Sequence, residues 1–177
     1  AFVEYPDGKL MLRKAEAEDK EFMRSSDFNS RFINTTTGPD GCLYVTDMYR
    51  GIIQDAAWFN EGNREFARRT GVNKHVQMGR IWRIRHKDHQ PFMEKPQMLE
   101  ESTEELVRHL QNPIGWWRDT AQKIILLRPD REKAIPLLEG LFRFTQSPLP
   151  RMHALWTLNG MNALTTEIKR EALADRS

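Results

Sequence analysis

Residues 38 to 51 limit the fold of this chain more than any other stretch: Gly38-Pro39-Asp40-Gly41-Cys42-Leu43-Tyr44-Val45-Thr46-Asp47-Met48-Tyr49-Arg50-Gly51. A Pro-Asp-Gly turn feeds a short strand of β-branched and aromatic residues, which runs into a polar, aromatic and basic tail. Turn, strand and exposed polar tail in so few residues is how a β-propeller blade is often written. One blade does not fold alone, so the segment predicts that these residues are part of something larger.

The texture of the sequence changes once. From 1 to 92 it reads as short strands and turns, with Phe2 to Tyr5 and Leu10 to Leu12 flanking Pro6-Asp7-Gly8-Lys9 as a hairpin. Residues 53–78 interrupt this pattern. Trp58, Phe59, Phe66 and Ala67 followed by Gly71 predict a short helical insertion closed by a glycine cap. The β pattern resumes at Arg80-Ile81-Trp82-Arg83-Ile84, whose alternation predicts a half-buried strand and not a phosphate site.

Pro91 and Pro96 bracket a polar linker, placed at 93–101. Beyond it the apolar residues take helical spacing. Ser102-Thr103-Glu104-Glu105 fits a capping box, with Leu106, Val107 and Leu110 as the apolar face and Asn112-Pro113 as the stop. A second helix is predicted from Trp116 to Leu127 and a third around Ile135, Leu138, Leu141 and Phe142, with Pro136 in its first turn. Pro148 and Pro150 open a fourth, ended by Gly160, and 165–175 form a fifth. The interval from Arg118 to Arg151 recurs between Ala121 and Ala154, between Ile125 and Leu158, and between Ile135 and Ile168. Stacked helical hairpins of this period predict an α-solenoid over 102–177. The fold class is thus α+β in two segments: antiparallel propeller-like blades, then helical repeats.

Composition excludes several functions. Twenty-seven basic against 25 acidic residues leave a formal charge of +2, without the concentrated basic face that nucleic-acid binding needs. Cys42 is the sole cysteine, which excludes an internal disulfide and a Cys-x-x-Cys-His haem attachment within these residues. It is expected as a small buried residue. No apolar run approaches membrane-spanning length.

The candidate binding residues are Asp47, Tyr49 and Arg50, which follow a strand where propeller loops gather around a funnel, and His75 beside the insertion. An acid, a phenol and a guanidinium together suit a polar substrate, a cofactor carboxylate or a cation. The structural alternative pairs Arg50 with Asp47 or Asp55 and packs Tyr49 on the insertion. For His75 the alternatives are a pocket wall and a cap on the Gly79 turn. Asp40 is expected to bond its own turn. His86-Lys87-Asp88-His89 has a metal-like spacing but no third ligand, so it reads as a solvated loop and no metal site is expected. Arg118-Asp119 reads as part of a charged ladder between stacked helices, with His109 and His153 as packing or surface residues.

Five motifs in a fixed order carry a family resemblance. They are Glu21-Phe22-Met23-Arg24-Ser25-Ser26-Asp27, the Gly38-to-Gln54 run, and Gly79-Arg80-Ile81-Trp82-Arg83-Ile84, followed by Trp116-Trp117-Arg118-Asp119-Thr120-Ala121-Gln122 and Arg151-Met152-His153-Ala154-Leu155-Trp156-Thr157-Leu158. Together they resemble the dehydrogenase-like membrane-bound proteins of planctomycetes and verrucomicrobia. Those join a propeller similar to soluble quinoprotein sugar dehydrogenases to HEAT-type repeats, and often to a c-type haem domain. The resemblance implies that this chain closes a propeller and begins a HEAT-like solenoid within an exported, periplasmic or membrane-associated protein. It implies oxidation of a sugar or other alcohol by the intact polypeptide, with a quinone of the PQQ kind or haem c as its cofactor, neither bound by this segment. The implied partners are upstream blades, a downstream haem domain and a protein on the helical repeats.

The chain departs from the family pattern at Asn29-Ser30-Arg31-Phe32-Ile33-Asn34, where an aromatic-Arg-Pro run is usual. The resemblance carries no catalytic residue onto these positions, and the segment alone is expected to be inactive. The alternative class is a non-enzymatic interaction module, since propellers and helical repeats both serve as binding platforms.

Overall fold

The computed structural model describes residues 2–4, 11–13, 21–53, 55–92 and 95–175. Strands β1 (Phe2–Glu4) and β2 (Met11–Arg13) pair antiparallel, with Phe2 opposite Arg13 and Glu4 opposite Met11. The Pro6-to-Lys9 turn and most of the acidic stretch from 15 lie outside the described residues. A three-stranded antiparallel sheet follows, with β3 (Phe32–Thr37), β4 (Leu43–Asp47) and β5 (Arg80–Ile84) in the order β3-β4-β5. Six α-helices complete the described α+β fold.

Two compact units share the chain. One comprises residues 1–33 and 47–80, the other 34–46 and 81–177.

In the first unit, helix α1 (Glu61–Thr70) forms where the sequence places its insertion. The Asn60 side chain accepts from the Asn63 amide at 2.8 Å, satisfying one of the free donors at the helix start. Gly71 ends the helix with φ 68°, a left-handed conformation that only glycine takes at little cost. Phe66 meets Phe28 edge to face, with ring centroids 5.2 Å apart.

The second unit holds the main core. Helices α2 (Thr103–His109), α3 (Gly115–Leu127), α4 (Ala134–Phe144), α5 (Pro148–Gly160) and α6 (Thr166–Leu173) bury Leu106, Trp117, Ile125, Leu138, Leu158 and Ile168, with Leu110 buried just past the end of α2. Each such side chain stabilises the fold by roughly 1.5–3 kcal/mol on burial. The capping box at α2 is complete: Ser102 Oγ accepts from the Glu105 amide at 3.2 Å, and the Ser102 amide donates to Glu105 Oε2 at 2.8 Å. Pro136 lies in the first turn of α4, where its missing amide costs no helical bond. Helix α5 runs through Gly160, and the left-handed turn falls at Asn162, φ 58°.

Trp117, at the start of α3, is buried among rings. His109 stacks on it at 4.9 Å and Phe92 meets it edge-on at 5.6 Å. Its indole Nε1 donates to the Pro39 carbonyl at 2.8 Å, so the β3–β4 turn is bonded to a helix far along the chain.

Strand β5 differs from the expected half-buried alternation. Ile81 is 68% exposed, and the arginines are the residues that reach buried partners. The cause is the carboxylates on β4 and its turn, which draw Arg80 and Arg83 toward them.

Candidate functional site

Asp47 ends strand β4 and is 2% exposed. A buried carboxylate is costly unless charge and hydrogen bonds surround it. Here donors from the described residues do so. Oδ1 accepts from the Arg31 amide at 2.7 Å and the Tyr49 amide at 2.9 Å. Oδ2 accepts from Arg80 Nε at 3.0 Å and Ser30 Oγ at 3.3 Å. A carboxylate has about four lone-pair sites, so these bonds fill it.

Arg80 extends the cluster. Its second nitrogen donates to Ser30 Oγ at 3.1 Å and lies 3.7 Å from Asp27 Oδ2. The guanidinium carbon sits 4.0 Å from the centre of the Tyr49 ring, a cation–π distance. Tyr49 is held with φ 48°, in the left-handed region that a bulky residue takes only under constraint. Its amide bond to Asp47 supplies part of that constraint. A hydrogen bond to Asp27, followed by burial, raises the Tyr49 phenol above its ordinary value. The Asn29 amide and then the Tyr49 hydroxyl lower the Asp27 carboxyl.

Of the four residues picked from the sequence, the structure brings together Asp47, Tyr49 and His75. The His75 ring meets Tyr49 edge-on at 6.2 Å, and its buried Nδ1 has no hydrogen-bond partner among the described residues. Arg50 is not in the cluster. It is exposed, and its Nε donates to the Ile52 carbonyl at 3.0 Å. Of the two acids offered to Arg50, Asp47 and Asp55, Asp47 is taken by Arg80, because two residues beyond the strand end the chain is already turning at Tyr49. Ser30, Arg31, Asp27 and Arg80 were missed as site residues. The only signal for any of them was Arg80, an arginine in strand alternation with no expected partner.

A second carboxylate sits in the other unit. Asp40 accepts from the Cys42 amide at 3.0 Å, as its turn position predicts, and from the Tyr44 hydroxyl at 3.0 Å. Arg83 adds Nε and its terminal nitrogen, each at 2.6 Å. Burial pushes the Asp40 carboxyl up, but the Cys42 amide, Arg83 and Tyr44 together outweigh it and lower it to about 2. The His86-to-His89 loop is only partly solvated. His86 is exposed, whereas His89 is half-buried with Nε2 3.0 Å from the Asp40 carbonyl oxygen.

The helical unit has its own polar contact. Arg118 donates to the carbonyls of Asn112 and Pro113 at 2.7 and 2.9 Å. Its Nε donates to His153 Nε2 at 3.3 Å, which leaves the proton on Nδ1 to donate to Gln122 Oε1 at 2.8 Å. The imidazole is therefore neutral. Burial lowers its pKa, against the pull of Asp119 at 3.9 Å. His153 is a packing residue between helices.

The residues present do not fit a covalently held haem, because Cys42 is single and buried. Among the described residues no group of three His, Cys, Asp or Glu side chains could hold a metal ion. No helix among them is long and apolar enough to cross a membrane.

Residues 1–88 match a family described as a domain of unknown function, DUF7133, so that stretch is similar to its members. No curated protein and no solved structure matches the chain.

Proposed function

We propose that this chain is a scaffold segment that does no chemistry of its own and works by docking to other protein. The observation that carries this is the state of Asp47. As the one acid among the four candidates it has the oxygens to act as a base, and all of its acceptor sites are spent on internal donors. General-base work needs a carboxylate with a lone pair within reach of a substrate proton.

Docking is supported by the sheet and by the helices. Strands β3 and β5 are the outer strands of their sheet, and β3 is exposed along all but its first residue. Outer strands offer unpaired backbone groups to further strands, as closure of a propeller requires. The helical unit repeats from α3 to α5 at a constant interval, as HEAT-like arrays do in presenting long surfaces to partners.

A second reading is favoured by the order of the five sequence motifs. In it the segment belongs to an exported quinoprotein-like dehydrogenase that oxidises a sugar or alcohol and passes electrons to a c-type haem, with quinone and haem held elsewhere in the polypeptide. Each reading has its own measurement. The 177-residue chain is expected to reduce no dye with sugars or alcohols as donors, and turnover that Asp47→Asn abolishes would overturn the scaffold assignment. Visible absorbance of the intact polypeptide tests the second, since no haem or quinone band would remove electron transfer.

A further inference from the structure

We propose that the groove along α5 and α6 seats a further helix of the same repeat, held on α5 as α5 is held on α3. The bounds of α3, Gly115–Leu127, and of α5, Pro148–Gly160, are offset by one interval at both ends, the interval that separates Arg118 from Arg151. Side chains along α3 hold α5 in place. Arg118 and Gln122 bond the His153 ring at 3.3 and 2.8 Å, and Asp119 lies 3.9 Å from it. Leu126 adds a close approach: a Cβ on Gly160 would fall 2.9 Å from its Cδ2, so a larger residue there would push the Leu126 side chain aside.

Moved on by that interval, Arg118, Asp119, Gln122 and Leu126 become Arg151, Met152, Leu155 and Asn159. All of these line one open groove of about 760 Å³, with Trp156 and Leu173 on its walls. Trp156 is 60% exposed and Leu173 89% exposed. Residues chosen only for their contacts in one repeat thus converge on a single surface in the next, as stacking of identical units requires. The groove continues an interface already present between α3 and α5.

The chemistry of the occupant follows from the exchanges. Asp119 and Gln122, which face an imidazole, correspond to Met152 and Leu155, which are apolar. The occupant is therefore an amphipathic protein helix with an aliphatic residue where α5 carries His153. Asn159 stands where α3 carries Leu126, so the groove offers the occupant a polar contact at that place. At the rim Arg151 pairs with Asp175 at 2.7 Å and closes one end with charge.

The inference rests on the scaffold reading and is tested separately from it. A copy of residues 145–177 appended directly after Ser177 places a second α5 sequence one further interval along the full chain. Circular dichroism should show one cooperative transition with its midpoint raised by about 4 °C or more, and tryptophan emission should shift to shorter wavelength. His153→Leu confined to the appended copy should raise the midpoint further. Trp156→Glu in the groove should remove the gain. An extension that stays protease-labile with an unchanged midpoint would overturn the inference, as would a gain that survives Trp156→Glu. Sedimentation of the unextended chain covers the rival occupant, because a dimer that Trp156→Glu dissolves gives the groove to a second copy and also overturns it. Each of these failures leaves dye reduction, and with it the scaffold reading, unaffected.

Discussion

Replacing Asp40 with asparagine removes one charge from the turn that precedes β4 while keeping its shape. The carboxyl is lowered from 3.8 to about 2, because the Cys42 amide, Arg83 and Tyr44 outweigh the cost of burial. The unfolded chain therefore binds this proton at a higher pH than the folded one. The stabilisation is complete above the unfolded value and is lost as pH falls through the folded value. At neutral pH the shift corresponds to about 2 kcal/mol, declining to about 1 kcal/mol near pH 3 and to a small remainder at pH 2. Arg83 is 44% exposed at its side chain, so solvent screens its share and the true figure falls toward the lower end. Urea unfolding of the parent and of Asp40→Asn, each from pH 7 down to pH 2, isolates this group from all other carboxylates. The gap in unfolding free energy should narrow by about 1–2 kcal/mol across that interval. Two parallel curves would refute the argument, since they would mean that Asp40 titrates alike in both states.

Asp47→Asn should cost about 2–4 kcal/mol, because Arg80 loses its buried counter-charge and keeps Asp27 at 3.7 Å, and one donor loses its acceptor. Hydrogen exchange reads this locally: the Arg31 and Tyr49 amides should lose protection, and unchanged protection would contradict the assignment of Asp47 as their anchor. His153→Gln should flatten the pH profile on the acid side. The folded pKa lies below the ordinary 6.5, so the parent loses stability as pH falls through it, and an equally steep profile in the variant would exclude His153 as the source. Ser102→Ala should cost about 1 kcal/mol by opening the capping box, and a loss under about 0.3 kcal/mol would show that Glu105 alone satisfies the helix start.

The helices were legible because their signals are local. Ser102 with Glu105 and Gly71 each fix a terminus through atoms close by in sequence, and the structure places both where the sequence does, whereas α2 ends at His109, ahead of the Asn112-Pro113 stop. The constant offset from α3 to α5 was equally plain, since residue numbers alone reveal it. The polar clusters were harder to read because their partners are distant. Asp47 binds Arg80 across 33 positions and Asp40 binds Arg83 across 43, distances set by how strands align and not by neighbouring residues. Adjacency favoured Arg50 instead. His89 escaped for the same reason, as its partner is the Asp40 carbonyl 49 residues earlier. Metal spacing said nothing about it.

The division of the chain at 33/34, 46/47 and 80/81 has a consequence for how this protein is cut and trimmed. The backbone crosses from one compact unit to the other three times, with the β3–β4 turn stitched to Trp117 on the far side of the sequence. No single cut leaves both units whole: a cut at 80/81 keeps one unit complete in residues 1–80 but strips 34–46 from the other. A cut anywhere within residues 34–80 splits at least one unit in two. The same arithmetic warns against trimming: a fragment begun at the polar linker would keep Trp117 and lose the carbonyl it binds.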